Sequence, residues 1–332
     1  NRFSPSTLTR LSFLTRNFIT IAALGEGDFG LVKRVQRRDS EEEYALKISK
    51  VDVTKVKTGL HYTKDHLKEI LTHSTIPSHP NLVYFHQAWK EGGHAYLLME
   101  LCLDSLDGYW RKKNELELEE IQSVLNDMLR ALLHLSSLNI AHLDVKPHNI
   151  LKATTGAFKL ADFGTAVDLT KDPSPEEFGD GRYAAPEILD GVFTTKADLF
   201  SLAISVSQVS VSSDSPLSSD EWYLMKEGQL PDRVEKALSG APEMVKNLQS
   251  MLLNLAERPS AKELLKDELI PLLDQKTEND RIRYANCSFH RDRLSLSSSV
   301  ERKMRENKSP LVKKSDVVFH TEKDFFEMDK PK

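Results

Sequence analysis

The spacing of apolar residues changes once along this chain, from a strand-like pattern to a helical one. From Phe18 to about Leu101, β-branched and aromatic residues are broken by turn clusters such as RRDSEEE and KEGGH, which predicts strands. One stretch in this part, KDHLKEILTHS, has apolar residues three and four apart and predicts a helix. From Ser105 to about Leu273 the periodicity becomes helical. We therefore expect a β-rich part with one main helix, followed by a larger and mostly helical part.

The two ends of the chain lack a clear period. Residues 1–17 mix Ser, Thr, Arg and Pro, so we expect a loosely ordered lead-in. Residues 274–332, which include SLSSSVERKMRENKSPLVKK, carry too few apolar side chains to form a core of their own. We expect this charged, serine-containing tail to be disordered.

Composition narrows the class of protein. The chain has 39% hydrophobic and 29% charged residues, which is ordinary for a globular protein with a sizeable core. A net charge of -5 gives no support for nucleic-acid binding. Two cysteines, Cys102 and Cys287, are too few for a disulfide framework or a zinc cluster, which favours a reducing compartment. No stretch approaches the roughly 18 apolar residues of a membrane span, and we recognise no signal peptide.

The segment LGEGDFGLV lies between two predicted strands and has glycines at Gly25, Gly27 and Gly30. Without Cβ atoms, these residues let backbone amides lie against phosphate oxygens. No helix follows the segment, which argues against a dinucleotide-binding turn, and a plain glycine-rich hairpin stays the alternative. Lys47, in YALK on the next strand, could reach phosphates, and Glu69 on the predicted helix could hold it by an ion pair. Taken alone, each of these two residues would be interpreted as a solvated surface charge.

The octet HLDVKPHN contains an acid, a base and an amide, and Pro147 prevents a helix between them. Asp144 can accept a hydroxyl proton, Lys146 can meet the charge of a transferred phosphoryl group, and Asn149 can bind a metal ion. Asp162, in KLADFG, follows a short predicted hairpin and would bridge Mg²⁺ to phosphates. The order and spacing of these fragments, with YAAPE further on, indicate phosphoryl transfer.

Taken together, these motifs resemble those of a protein kinase from Phe18 to Leu273. The resemblance implies an α+β, bilobal protein kinase fold. Its small, β-rich N-lobe would span residues 18–101, and its larger, mostly helical C-lobe would span residues 102–273. It also implies ATP and Mg²⁺ as cofactors.

The same resemblance assigns roles to individual positions. Asp144 matches the catalytic base and Lys146 its phosphate partner, while Asn149 and Asp162 match the magnesium ligands. Met99 matches the gatekeeper beside the adenine. The positions that match the family's nucleotide-binding residues are Leu24, Gly25, Gly27, Gly30, Val32, Ala45, Lys47, Glu69, Met99, Glu100, Cys102 and Leu151.

Two further matches imply structural roles. Asp198, in KADLFSLA, resembles the helix acid that braces the catalytic loop of the family. Glu187 and Arg258 resemble a buried ion pair, from which we expect stability rather than chemistry.

Leu143 is a departure from the family pattern. Most kinases have an arginine there, which receives a phosphate on the activation segment and orders that segment. A leucine cannot bind a phosphate. We therefore predict activity without phosphorylation of the 162–187 segment, in which Thr165, Thr170 and Ser174 are the candidate sites.

A second departure is Asp180 in GDGRYAAPE. Typical serine/threonine kinases have a threonine there, whose hydroxyl ties the segment to the catalytic Asp and Lys. The carboxylate of Asp180 could bond Lys146 instead and alter the choice of acceptor. The alternative is a plain surface turn, Gly-Asp-Gly.

The His-Leu-Asp variant, QAWKEGGHAYLLMELC, GDGRY and EWYLMKEGQLP together resemble the Wee/Myt group of inhibitory kinases, and most of all its membrane-associated, tyrosine- and threonine-specific branch. The resemblance implies a cyclin-dependent kinase with its cyclin as the protein substrate, phosphorylated on adjacent Thr and Tyr, which holds back entry into mitosis or meiosis. The family's usual Glu-Gly-Asp is Phe178-Gly179-Asp180 here, which leaves the choice between Thr and Tyr open.

We expect the chain in the cytoplasm or nucleus, because the hydrophobic anchor of the membrane branch is not recognised in its tail. Peripheral association with ER or Golgi membranes, by family resemblance, is the alternative. Two other functions also stay open. One is a serine/threonine kinase with unrelated substrates, favoured by the Lys146-Pro147 pattern, and the other is a pseudokinase scaffold.

Overall fold

The computed structural model of this chain describes residues 12–27, 30–50, 62–171 and 178–265. The expected tail, residues 1–11 of the lead-in and Ser174 lie outside the described residues. The chain divides into two compact units. Of the described residues, the first unit comprises those up to Pro77 together with Tyr84–Leu101, and the second comprises Ser78–Val83 together with those from Cys102 to Leu265.

An antiparallel five-stranded sheet in the order β1-β2-β3-β5-β4 forms the first unit. Its strands are β1 (Phe18–Gly27), β2 (Gly30–Arg37), β3 (Glu43–Ile48), β4 (Phe85–Glu91) and β5 (His94–Glu100). The helices of this unit are α1 (Phe13–Asn17) and α2 (Tyr62–Thr75). The second of these is the helix that KDHLKEILTHS predicts, and it buries Glu69, Ile70 and His73.

The short helix α1 differs from our expectation of a loosely ordered lead-in. Ser12 caps it through its side chain, and its first two backbone N–H groups donate to the carboxylate of Glu91. The ring of Phe13 meets Trp89 edge-on, with 5.1 Å between ring centroids. Because Trp89 belongs to the buried apolar cluster of the sheet, the core begins before Phe18. Five helical residues are too few to show a period in the sequence.

The second unit is mostly helical, with short strands on either side of the loop that contains His142 to Asn149. Its strands are β6 (Asp104–Ser105), β7 (Ile140–Ala141), β8 (Ile150–Lys152), β9 (Phe158–Leu160) and β10 (Val167–Asp168). Its helices are α3 (Leu106–Lys113), α4 (Leu118–Ser137), α5 (Pro186–Leu189), α6 (Thr195–Val209), α7 (Ser219–Lys226), α8 (Asp232–Ala237), α9 (Pro242–Leu252) and α10 (Ala261–Leu264).

Helix α4 packs its apolar face against α6, the most buried helix of this unit. The stripe that the sequence predicts is buried at Ile121, Val124, Leu125, Met128, Leu129 and Leu132, and half-buried at Leu133. Residues 78–83 join this unit because Val83 and Asn81 exchange backbone hydrogen bonds with Leu160 of β9. No helix in the described ranges is long and apolar enough to span a bilayer.

Candidate active site

A buried carboxylate, that of Asp198, holds the backbone of the loop between β7 and β8. Asp198 of α6 accepts hydrogen bonds from the backbone N–H groups of His142 and Leu143, both at 2.7 Å. Burial, the larger effect, raises the pKa of Asp198 to about 7, against the two N–H donors, which lower it. The predicted brace is therefore confirmed.

This brace helps to offset an unfavourable backbone conformation at Leu143. Its φ of 63° lies in the left-handed region, which costs an L-residue roughly 1–2 kcal/mol. Its side chain is only 6% exposed and is part of the core. The position that most kinases use for a phosphate-binding arginine is thus an apolar packing position here.

Three donors orient the carboxylate of Asp144. Its Oδ2 accepts from Nδ2 of Asn149 and lies near Nζ of Lys146, both at 2.8 Å. Its Oδ1 accepts from the backbone N–H of Asp180 at 3.0 Å. Because each carboxylate oxygen has two lone pairs, the group can still accept a proton from a substrate hydroxyl.

Asn149 and Asp162 provide the oxygen donors for a metal ion. The amide nitrogen of Asn149 donates to the backbone oxygen of Asp144 at 2.9 Å as well as to its carboxylate, which leaves Oδ1 as the ligand atom. The backbone N–H of Ala161 donates to the carbonyl of Asn149 at 2.8 Å and so ties the residue before Asp162 to the same loop. An amide oxygen and a carboxylate suit a hard cation that completes its shell with phosphates and water. Among the described residues there is no cluster of three or more His, Cys, Asp or Glu side chains that could hold a metal alone.

The 178–184 segment lies directly on Asp144. The backbone N–H of Gly179 donates to the carbonyl of Leu143 at 3.0 Å. A Cβ atom on Gly179 would lie 2.1 Å from Oδ1 of Asp144, so only glycine fits there. Sequence reasoning did not select Gly179, because nothing local distinguishes it from a turn glycine.

The carboxylate of Asp180 does not bond Lys146, although the sequence suggested that it could. Its carboxylate pairs with Arg182, with Oδ2 2.6 Å from Nη2, while Nζ of Lys146 pairs with Asp144 instead. Burial alone would raise the pKa of Asp180, but the hydrogen bonds and charge of Arg182 outweigh it, so the pKa is lowered. An arginine two residues away in the same turn reaches this carboxylate more readily than Lys146 does.

The first unit contains the predicted ion pair. Nζ of Lys47 lies 2.7 Å from Oε1 of Glu69, and the two side chains are 9% and 5% exposed. Lys47 is opposite Val32 in the pairing of β2 with β3. Strand β3 thus carries the cation to a buried position, where α2 supplies its carboxylate.

The glycines of the predicted phosphate loop lie at the β1–β2 turn, whose residues 28 and 29 are outside the described residues. Gly27 pairs with Gly30, and Gly25 pairs with Val32. Gly30 is required for space, because a Cβ there would lie 2.4 Å from the backbone oxygen of Ile48. Gly25 has no such neighbour, and Leu24 is exposed.

Two hydrogen bonds with Tyr84 hold Glu100 at the end of β5. Glu100 donates its backbone N–H to the carbonyl of Tyr84 at 3.0 Å, and its Oε2 accepts the N–H of Tyr84 at 3.2 Å. Met99 is buried opposite Ala45 in β3, so it lies where a gatekeeper would and is also a core residue. The predicted adenine contacts Cys102 and Leu151 are half-buried and belong to the second unit.

A buried ion pair, predicted as structural, joins Glu187 to Arg258. The arginine is 1% exposed, and its Nη2 lies 3.2 Å from Oε2 of Glu187. The guanidinium also lies over Phe200 of α6, 4.9 Å from the ring centroid. These contacts anchor the end of the segment that follows the catalytic loop.

Family comparison agrees with this geometry. The family model described as protein kinase domain matches residues 18–270. The chain is 35% identical to the Drosophila melanogaster membrane-associated tyrosine- and threonine-specific cdc2-inhibitory kinase, over 82% of this chain and 51% of that protein.

Two other relatives are similar over most of this chain. The Caenorhabditis elegans membrane-associated tyrosine- and threonine-specific cdc2-inhibitory kinase wee-1.3 is 33% identical over 78% of this chain and 38% of its own length. The Xenopus laevis Wee1-like protein kinase 1-A is 29% identical over 76% of this chain and 48% of its own length. The chain thus spans about half or less of the length of these relatives.

Proposed function

The chain belongs to the protein kinase family, and we propose that it phosphorylates Thr and Tyr in the glycine-rich loop of a cyclin-dependent kinase bound to cyclin. As a member of this family it is an ATP-dependent protein kinase. The proposed reaction inhibits the acceptor kinase and restrains entry into mitosis or meiosis.

The observation that carries the choice of acceptor is the similarity to relatives that are named as cdc2-inhibitory kinases, over 78–82% of this chain. The resemblance that we inferred from the sequence motifs points to the same group. The catalytic set supports an active enzyme rather than a scaffold, because Lys47 has its carboxylate and Asp144 has its orienting donors.

In this reaction the acceptor oxygen forms a bond to the γ-phosphorus of ATP, and the bond from that phosphorus to the β,γ-bridging oxygen breaks. Asp144 orients the acceptor hydroxyl and takes its proton. Lys146, held 2.8 Å from this carboxylate, places a positive charge beside the transferred group. ADP leaves with the former bridging oxygen.

We propose magnesium as the cation, because a carboxylate and an amide oxygen suit a hard cation that also binds phosphates and water. Oδ1 of Asn149 and the carboxylate of Asp162 would hold it, and when bound it neutralises phosphate charge. The chain's own residues position the acceptor and move the proton.

A kinase assay tests the acceptor. Catalytically inactive cyclin-dependent kinase bound to cyclin is incubated with Mg-ATP and either the native chain or Asp162→Asn, and the modified residues are mapped by mass spectrometry. Asp168→Asn is the matched control, because the contacts of its carboxylate within the described ranges are local ones, with Thr170 and Lys171.

We expect phosphate on the glycine-loop Thr or Tyr with the native chain and the control, and none with Asp162→Asn. Transfer only to generic serine or threonine peptides would keep the kinase and remove the proposed acceptor. No transfer to any acceptor would favour a scaffold.

For location, we propose the cytoplasm or nucleus, since two cysteines in the chain favour a reducing compartment. The periphery of the ER or Golgi is the alternative, because the names of two relatives describe them as membrane-associated. Fractionation of cells that express the full-length protein distinguishes the two.

A further inference from the structure

Lys226, the last residue of α7, reaches the segment that covers the catalytic carboxylate. Its Nζ donates to the backbone oxygen of Gly181 at 3.2 Å and to that of Ala184. These two carbonyls lie on either side of Tyr183 in the chain. The ring of Tyr183 meets that of Trp222, another residue of α7, edge-on, with 5.2 Å between centroids. Helix α7 therefore contacts the segment at two points, through the ammonium group of Lys226 and through the ring of Trp222.

The other end of the segment contacts Asp144. The backbone N–H of Asp180 donates to Oδ1 of Asp144, and Gly179 fits against the same carboxylate without room for a Cβ. Lys226 is thus connected to the carboxylate of Asp144 in three steps. Its ammonium group binds the carbonyl of Gly181, the backbone leads from Gly181 to Asp180, and the N–H of Asp180 donates to Asp144. A shift at Gly181 is thus transmitted directly to the group that orients the acceptor.

Helix α7 is itself anchored independently of the segment. Ser218 and Glu221 form a capping box at its start. The carboxylate of Glu221 also binds the guanidinium of Arg233 at 2.9 Å, and Arg233 donates to the carbonyl of Pro216 at 2.9 Å. The helix is therefore a fixed support from which Lys226 extends.

The surroundings of Lys226 disfavour its charged form. Burial, the largest effect, lowers its pKa to about 8, although Asp180 and Glu187 nearby raise it. Those two carboxylates are paired with Arg182 and Arg258, and among the described residues no carboxylate lies within ion-pairing distance of Lys226. Its Nζ also lies 5.3 Å from the centroid of an apolar ring, that of Phe200. A half-buried cation that contributes no ion pair is a candidate for function rather than for stability.

We infer that Lys226 is a positioning residue, whose ammonium group holds the 178–184 segment against Asp144 and so sets how productively an acceptor hydroxyl meets that carboxylate. Leu143 stands where most kinases have a phosphate-binding arginine, so that cation is missing at this position. Lys226 supplies a positive charge to this segment from α7 instead. The inference rests on the chain's kinase activity and does not depend on which protein it phosphorylates.

The test compares Lys226→Met, which removes the charge at similar length, with Lys226→Arg, which keeps the charge. The matched control is Lys236→Met, an exposed lysine of α8. Steady-state transfer is measured to the cyclin-bound acceptor and to a mixed Ser/Thr/Tyr peptide library, with ATP varied separately. Amide exchange is followed in peptides that contain Gly179 and Asp180, whose N–H groups report contact with the catalytic loop.

We expect Lys226→Met to lower kcat by about tenfold to a hundredfold, the size of effect that a misplacement near 1 Å produces, with the KM for ATP unchanged. The Gly179 and Asp180 amides should exchange faster in this variant, while the thermal midpoint does not fall. Lys226→Arg should restore kcat, and Lys236→Met should match the native chain. Above about pH 8 the native rate should decline relative to Lys226→Arg, because arginine keeps its proton.

An unchanged kcat in Lys226→Met, or unchanged exchange at Gly179 and Asp180, would overturn the inference. So would a loss of kcat that merely follows a loss of thermal stability. If the cyclin-bound acceptor is not modified but library peptides are, the proposed acceptor fails and the same comparison proceeds on the peptides. If nothing is modified, the exchange data still decide whether Lys226 holds the segment.

Discussion

Gly179 lies so close to Asp144 that a Cβ atom would come within 2.1 Å of Oδ1 and 2.2 Å of Cγ. Gly181, two residues further on, has no atom within 4 Å of a Cβ at that position. The same short turn therefore contains one glycine whose missing Cβ makes room for the catalytic carboxylate and one, Gly181, that has room for a Cβ.

Gly179→Ala should lower transfer by at least about a hundredfold, because the added methyl group displaces the catalytic carboxylate. Gly181→Ala is the control and should keep the native rate. Both rates are measured with the same acceptor, alongside circular dichroism to verify folding. Equal activity in the two variants would contradict the contact.

Activity should not require phosphate on the segment after Asp162. Leu143 is buried and cannot bind a phosphate, and the hydroxyl of Thr165 donates to the carbonyl of His142 at 2.9 Å. We expect the phosphatase-treated chain and Thr170→Ala to transfer phosphate at the native rate. Thr165→Ala should lose about 1 kcal/mol of stability through the missing hydrogen bond. Inactivation by phosphatase, reversed by rephosphorylation, would refute this prediction.

The Lys47–Glu69 pair should matter far more than the Lys50–Glu26 pair, although their distances are 2.7 and 2.9 Å. The first pair is 9% and 5% exposed and the second 43% and 65%. Glu69→Ala removes the carboxylate that lies 2.7 Å from a buried ammonium group and should cost about 3–5 kcal/mol, together with most of the activity. Glu26→Ala should cost less than about 1 kcal/mol. Urea unfolding of both variants measures the difference, and similar losses would be inconsistent with it.

Stability should depend on pH through His79, which stacks on His134 with 4.8 Å between ring centroids. Burial, followed by the charges of neighbouring cations, lowers the pKa of His79 from 6.5 to about 3. The unfolded chain therefore binds a proton below pH 6.5 that the folded chain does not, and stability from this group falls as the pH drops.

His79→Gln removes this titration and retains an acceptor for the N–H of Asn81, which His79 accepts at 3.2 Å. Going from pH 7 to pH 5, the variant should gain up to about 2 kcal/mol relative to the native chain. Comparing the two proteins cancels the opposite contribution of Asp198, whose pKa is raised. A difference that does not change with pH would show that His79 titrates normally.

Several features follow from sequence because their chemistry requires specific residue types at short spacing. The octet around Asp144 is an example, since its acid, base and amide meet within one loop. The apolar stripe of α4 is another, because a helix repeats its buried face every three or four residues. The Lys47–Glu69 pair was inferred from strand and helix placement and matched by the family resemblance, the Glu187–Arg258 pair came from the resemblance, and both are present.

Other features appear only when distant segments meet. The backbone N–H of Asp180 donates to Asp144, Lys226 binds carbonyls more than forty residues before it, and α1 packs on the sheet although its own sequence has no period. The sequence by itself predicted phosphoryl transfer and the residues that would carry it, and it determined the division into a β-rich and a helical part, since these are written in local motifs and spacing. Tertiary structure alone decided which backbone group of the 178–184 segment meets Asp144 and which side chain holds that segment. The physical reason is that such contacts depend on packing between elements whose separation in the chain carries no signal of their proximity.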